Sequence, residues 1–66
     1  MTINVNNQEQ NIEFSSSLEY LLKSLNITSK GIAIALNNKV ISKNDWKNTL
    51  LKEQDHVTII QATQGG

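Results

Sequence analysis

The chain has 66 residues, no cysteine, and six lysines that balance six acidic residues without any arginine. Such a length supports one small core, and the missing cysteine excludes disulfides, thiolate metal sites and thiol nucleophiles. A neutral chain lacks the one-sided basic excess of a nucleic-acid-binding domain, and its longest apolar run, "IAIAL", is far too short to span a bilayer.

The opening stretch "MTINVNNQEQ" has neither the basic n-region nor the apolar h-region of a signal peptide, so a soluble, cytoplasmic protein is expected. Asparagine is abundant, with nine residues, but the apolar positions are patterned rather than scattered. No repeat or linker interrupts the chain, and residues 1–66 read as a single domain. In "TINVNNQEQNIEF", Ile3 and Val5 alternate with polar residues, and Ile12 and Phe14 do so again after a polar stretch. Period two predicts a hairpin with one buried face, turning within "NNQEQ".

In "SSSLEYLLKSLN", Leu18, Leu21, Leu22 and Leu25 fall on one helical stripe. Ser16 and Glu19 have the spacing of a capping box, and Asn26 suits a helix end in the left-handed conformation. "GIAIALNNKVI" reads as a strand with Ile32, Ile34 and Leu36 on one face and Ala33 and Ala35 on the other. Asn37 and Asn38 then turn the chain into a short return strand at Val40 and Ile41. Trp46, Leu50 and Leu51 belong to a short helical turn or an irregular loop that closes over the core, with Trp46 as a plug. In "DHVTIIQAT", Val57 and Ile59 face one way, and Ile60 and Ala62 the other. Apolar residues on both faces mark a central strand.

The order is hairpin, helix, hairpin, short segment, strand. One helix must cover one face of a four- or five-stranded mixed sheet, because its leucine stripe has no other apolar surface to meet. With the last strand central and parallel to the first, the fold class is α+β, the β-grasp or ubiquitin-like arrangement.

Catalytic apparatus is missing from this pattern. Asp55 and His56 are adjacent, and neighbouring strand residues point to opposite faces, so a turn-and-edge role is expected for them. Glu9 and Glu13 read as a solvated strand face. One histidine and scattered acids do not converge as metal ligands, and Gly31 is too isolated to cradle a phosphate. Neither catalytic nor metal-binding residues are assigned.

The ending "TQGG" is different. Glycine packs no side chain, so Gly65 and Gly66 add little to a core, yet they fit a narrow channel in another protein. Extended at roughly 3.3 Å per residue, Thr63, Gln64, Gly65 and Gly66 reach about 13 Å. Residues 63–66 are expected to form a flexible tail that threads a partner active site, with the Gly66 carboxylate as the group acted upon.

The chain resembles the ThiS family of sulfur carrier proteins of thiamine biosynthesis, which has the ubiquitin-like β-grasp fold. "GIAIALNNKVISKNDW" is similar to that family's A-x-A-x-N segment, return strand and Trp, at Ala33, Ala35, Asn37, Val40 and Trp46. "LLKEQDHVTIIQATQGG" is similar to its closing leucine, acidic turn, last strand and Gly-Gly, at Leu51, Asp55, Val57, Ile59, Gly65 and Gly66. Asn38 and Gln54 stand where Gly is common, and Ser42-Lys43 replaces a frequent Pro-Arg, which removes a bidentate donor.

The resemblance implies that a ubiquitin-activating-like adenylyltransferase (ThiF) adenylates Gly66 with ATP and magnesium. A cysteine desulfurase or another sulfur donor then supplies sulfur for a thiocarboxylate, which thiazole synthase (ThiG) consumes. The ATP and magnesium belong to the partner, and no cofactor is expected on this chain. Alternatives are a carrier for molybdopterin or another pathway, a ubiquitin-like modifier joined to lysines through Gly66, or an interaction domain. Partner docking is expected on the sheet face bearing Ile60 and Ala62, unless the Trp46 segment folds over it.

Overall fold

The computed structural model describes residues 1–61. Five strands form one sheet in the order β2-β1-β5-β3-β4. β1 (Thr2–Val5) and β2 (Gln8–Asn11) make the first hairpin, and β3 (Ile32–Leu36) and β4 (Lys39–Ile41) the second. Helix α1 (Leu18–Ser24) lies between the hairpins, and a 3-10 helix (Lys43–Asn48) precedes β5 (His56–Gln61). β5 is central. It runs parallel to β1, with Asn4 opposite His56 and Val5 opposite Val57, and antiparallel to β3 from Ile32–Gln61 to Leu36–Val57.

Both hairpins turn on an Asn-Asn pair. Asn6 and Asn7 have φ of 52° and 70°, and Asn37 and Asn38 have 52° and 71°. Two successive left-handed residues match the twist of the flanking strands, which makes the two-residue loop the favoured connection. The first turn is therefore shorter than the sequence pattern implies: Gln8, Glu9 and Gln10 belong to β2 rather than to the loop. Ile12 still reaches the core and exchanges hydrogen bonds with Met1, its amide donating at 2.9 Å and its carbonyl accepting from the terminal ammonium at 2.7 Å. The expected partner Phe14 does not share that face and is 76% exposed. A tight turn takes it away: the Ser16 hydroxyl donates to the Glu13 carbonyl at 2.6 Å, and Ser15 sits at a φ of 65°.

The helix begins one residue later than the capping-box reading. Ser17 is the N-cap, its Oγ accepting from the Tyr20 amide at 3.1 Å. Ser16 is buried and cannot serve, because its carbonyl accepts from the Leu51 amide at 2.8 Å while the Leu18 amide donates to Thr49 at 3.0 Å. These bonds tie the helix start to the segment after the 3-10 helix. At the other end Asn26 is left-handed at φ 59°. The Ile27 amide donates to the Leu22 carbonyl and the Asn26 amide to Lys23. This is a Schellman closure, which satisfies carbonyls the helix leaves free.

The core lies between α1 and one face of the sheet. Leu18, Leu21 and Leu22 meet Ile3, Val5, Ile34, Val57 and Ile59, with Ile12, Trp46 and Leu51 closing the ends. Burying each such side chain stabilises the fold by about 1.5–3 kcal/mol. Trp46 is a core plug as expected, and its Nε1–H donates to the Ile41 carbonyl at 2.9 Å. Leu50 does not join the closing segment; it is 55% exposed, since the antiparallel bridge to Ser17 directs alternate residues outward and leaves the inward place to Leu51.

Candidate functional site

β5 delivers the chain to its C-terminal residues, and its surroundings show how firmly it is held. Along one edge the Asn6 amide donates to the Val57 carbonyl at 2.9 Å. β1 has ended by this point, and the Asn6 side chain takes over from its backbone. Its Oδ1 accepts from the Ile59 amide at 2.8 Å and its Nδ2 donates to the Ile59 carbonyl at 3.2 Å. One side-chain amide thus mimics the next residue of a strand.

On the other edge Asn37 acts on the start of β5. Its amide donates to the His56 carbonyl at 2.7 Å, and its Oδ1 accepts from the His56 amide at 2.9 Å. Its Nδ2 donates to Asp55 Oδ1 at 3.1 Å, while Asp55 Oδ2 accepts from the Lys52 amide at 2.7 Å. The Asp55 carboxylate is buried, and these donors are what make that burial tolerable. It serves the turn and strand edge, as the sequence reading expects. Gln54 holds φ 70° in that turn, and its amide donates to the Thr2 carbonyl at 2.7 Å. Both positions where Gly is common in the resembling family, Asn38 and Gln54, therefore have left-handed backbones here.

The sheet face away from α1 is open. Ile60 is 57% exposed and lies opposite Ala33; Ala35 lies opposite both Thr58 and Val40, which is also exposed. Trp46 packs into the core and does not cover Ile60. Four apolar side chains on three adjacent strands form a small patch alongside β5. Ala62, Thr63, Gln64, Gly65 and Gly66 lie outside the described residues.

The remaining candidates disperse. Glu9 is exposed on β2, whereas Glu13 is past the end of that strand, so the two do not share a strand face as expected. Among the described residues no three His, Asp or Glu side chains gather in a way that could hold a metal ion, and no helix is long and apolar enough to cross a membrane. Asn6 is the residue that pattern reading missed. Its place in an Asn-Asn turn was visible, but its reach across 53 positions to Ile59 was not.

One helix against a mixed five-stranded sheet, with parallel first and last strands at its centre, defines a β-grasp protein. The crystal structure of the thiamine biosynthesis protein ThiS from Geobacter metallireducens has the same fold, with a TM-score of 0.85, 23% identity and full coverage of both chains. The ThiS family model matches residues 3–66, and the chain belongs to the ThiS family, the small sulfur carriers of thiamine biosynthesis. An uncharacterized protein ycf40 of Porphyra purpurea is 32% identical over 66 residues, covering all of this chain and 93% of that one. A thiazole synthase of Magnetococcus marinus is 29% identical over the same 66 residues, and the chain spans 20% of its length.

Proposed function

We infer that this chain is a cytoplasmic sulfur carrier for the thiazole of thiamine, and that the Gly66 carboxylate carries the sulfur. The observation that bears most weight is the family match over residues 3–66, which takes in β5 and the Gly65-Gly66 ending. The chemistry needs no side chain from this protein. A carboxylate oxygen attacks the α-phosphorus of ATP held with magnesium by an adenylyltransferase, and pyrophosphate leaves. The acyl-adenylate then offers a carbonyl carbon with a good leaving group. Hydrosulfide, or sulfur passed from a desulfurase persulfide and released by a thiol, displaces AMP and leaves a thiocarboxylate. A thiazole synthase takes the sulfur and returns the carboxylate.

Each part of the chain has a task in that cycle. Gly66 leaves its carbonyl unhindered, and Gly65 lets the backbone approach a phosphate without a Cβ in the way. Gln64 and Thr63 span the partner's channel. Ile60, with Ala62, presents the apolar contact by which the partner holds the folded body.

The test is intact-mass measurement after incubation with the activating enzyme, ATP, magnesium and sulfide. The starting mass first establishes that the chain ends at Gly66. A gain equal to exchange of one oxygen for sulfur is expected, and deletion of Gly66 abolishes it. Rescue of a thiazole auxotroph by the full chain, and not by the truncation, assigns the pathway. No exchange, or conjugates of higher mass in its place, overturns the reading.

A further inference from the structure

The helix layer carries a second surface that the tail chemistry leaves unused. Between α1 and the 3-10 helix lies a cleft of about 350 Å³, floored by Leu22, Ile27 and Trp46. Its rim is basic: Lys23, Lys43 and Lys47 line it, with Glu19 as the one acid. The chain has net charge zero, so three of its six lysines around one opening amount to local segregation. All three are exposed, whereas Leu22 and Trp46 are core residues.

That pairing of floor and rim selects an occupant. A bare phosphate gains nothing from an apolar floor, and the lysines rise from two separate elements around the opening rather than from one point. A neutral apolar ligand leaves the cations unanswered. An apolar side chain flanked by carboxylates satisfies both. Lys47 also lines a neighbouring groove with Phe14, Tyr20 and Leu50, three of the exposed large hydrophobics, at 76%, 46% and 55%. Apolar contact therefore continues past the basic rim, which suits an extended chain better than a compact small molecule. Charge complementarity of this kind mainly sets specificity and encounter rate.

We propose that this cleft docks an acidic peptide segment of a partner protein, with one apolar side chain seated on Leu22, Ile27 and Trp46 and its flanking carboxylates held by Lys23, Lys43 and Lys47. Because α1 covers the face of the sheet opposite Ile60, a segment bound there leaves the open face free. One partner can stay attached while a second engages the open face.

The experiment is amide NMR titration of the full-length labelled chain with an acetylated, amidated pentapeptide of two acidic residues on each side of a leucine. Shifts are expected at α1, the 27–29 loop and the 3-10 helix, with millimolar or tighter affinity that weakens as salt is raised. The double variant K43Q/K47Q, changed at exposed positions only, is expected to keep its fold by circular dichroism and to bind about five-fold more weakly. Three results overturn the proposal: shifts on the open sheet face, equal binding by the peptide with its acids replaced by amides, or equal perturbation of the same resonances by inorganic phosphate. Unchanged affinity in K43Q/K47Q overturns it as well.

Discussion

Asn37 joins the turn of the second hairpin to the start of β5, and replacing it by alanine removes three things at once. The bond from the His56 amide is exposed, and a neutral bond of that kind is worth about 0.5–1 kcal/mol. The bond to Asp55 Oδ1 serves a carboxylate that is 6% exposed, and bonds to charged groups contribute about 1.5–3 kcal/mol. Alanine at φ 52° adds about 1 kcal/mol of left-handed strain that asparagine largely avoids. The loss is about 3–5 kcal/mol in all, equal to the whole stability that a core this small supplies. N37A is therefore expected to be mostly unfolded at room temperature by circular dichroism. N37G loses the same bonds but tolerates positive φ, so urea titration should find it about 1 kcal/mol more stable than N37A. If N37A stays within about 1 kcal/mol of the parent, or if the two variants are equally stable, the account of Asn37 as clamp and turn residue is wrong.

The same reasoning gives other outcomes. Leu22 is 3% exposed, so Leu22→Ala should cost about 2–5 kcal/mol through the cavity left behind, read from urea unfolding. Gln54→Gly relieves the strain at φ 70° and should raise stability by up to about 1 kcal/mol, which is a rise in Tm of about 4–8 °C for a domain this size. Asn6→Gly keeps the turn but removes the amide that pairs with Ile59; hydrogen exchange at the Ile59 amide should accelerate relative to Ile34, at a cost near 1 kcal/mol. Ile60→Lys, on the open face, should change stability by less than about 0.5 kcal/mol while raising the activating enzyme's KM for the carrier.

The sequence carried its fold in its periodicities and its asparagines. The leucines at 18, 21 and 22 needed an apolar sheet face, and the alternation at Ile32, Ile34 and Leu36 supplied it. β5 had apolar residues on both faces, which left it no place but the centre. Where reading and structure part, a hydrogen bond that the apolar pattern does not show decides. Ser16 has the right spacing for a cap, but its carbonyl is bonded to Leu51, a pairing invisible from residues 16–19. Phe14 keeps the period of Ile12 on paper, but the strand has already turned at Glu13–Ser16. The clamp on β5 was not legible, because it is made by side chains remote in sequence.

Those clamps bear on how the protein presents its end. β1 ends at Val5, opposite Val57, while β5 continues to Gln61; without Asn6 the Ile59 amide and carbonyl would face an empty edge. Asn37 and Asp55 fix the other end of the strand. β5 is thus held by side chains at His56 and at Ile59 as well as along its length by β3, and Gln61 is fixed opposite Ile32. On the function proposed above, in which Gly66 is the group acted upon, a rigid β5 aids the placement of the carboxylate. Weakening Asn6 should therefore impair sulfur loading more than its small stability cost explains, by loosening the strand next to the tail. Equal loading rates for N6G and the parent, measured where both are fully folded, would show that the partner alone positions the end.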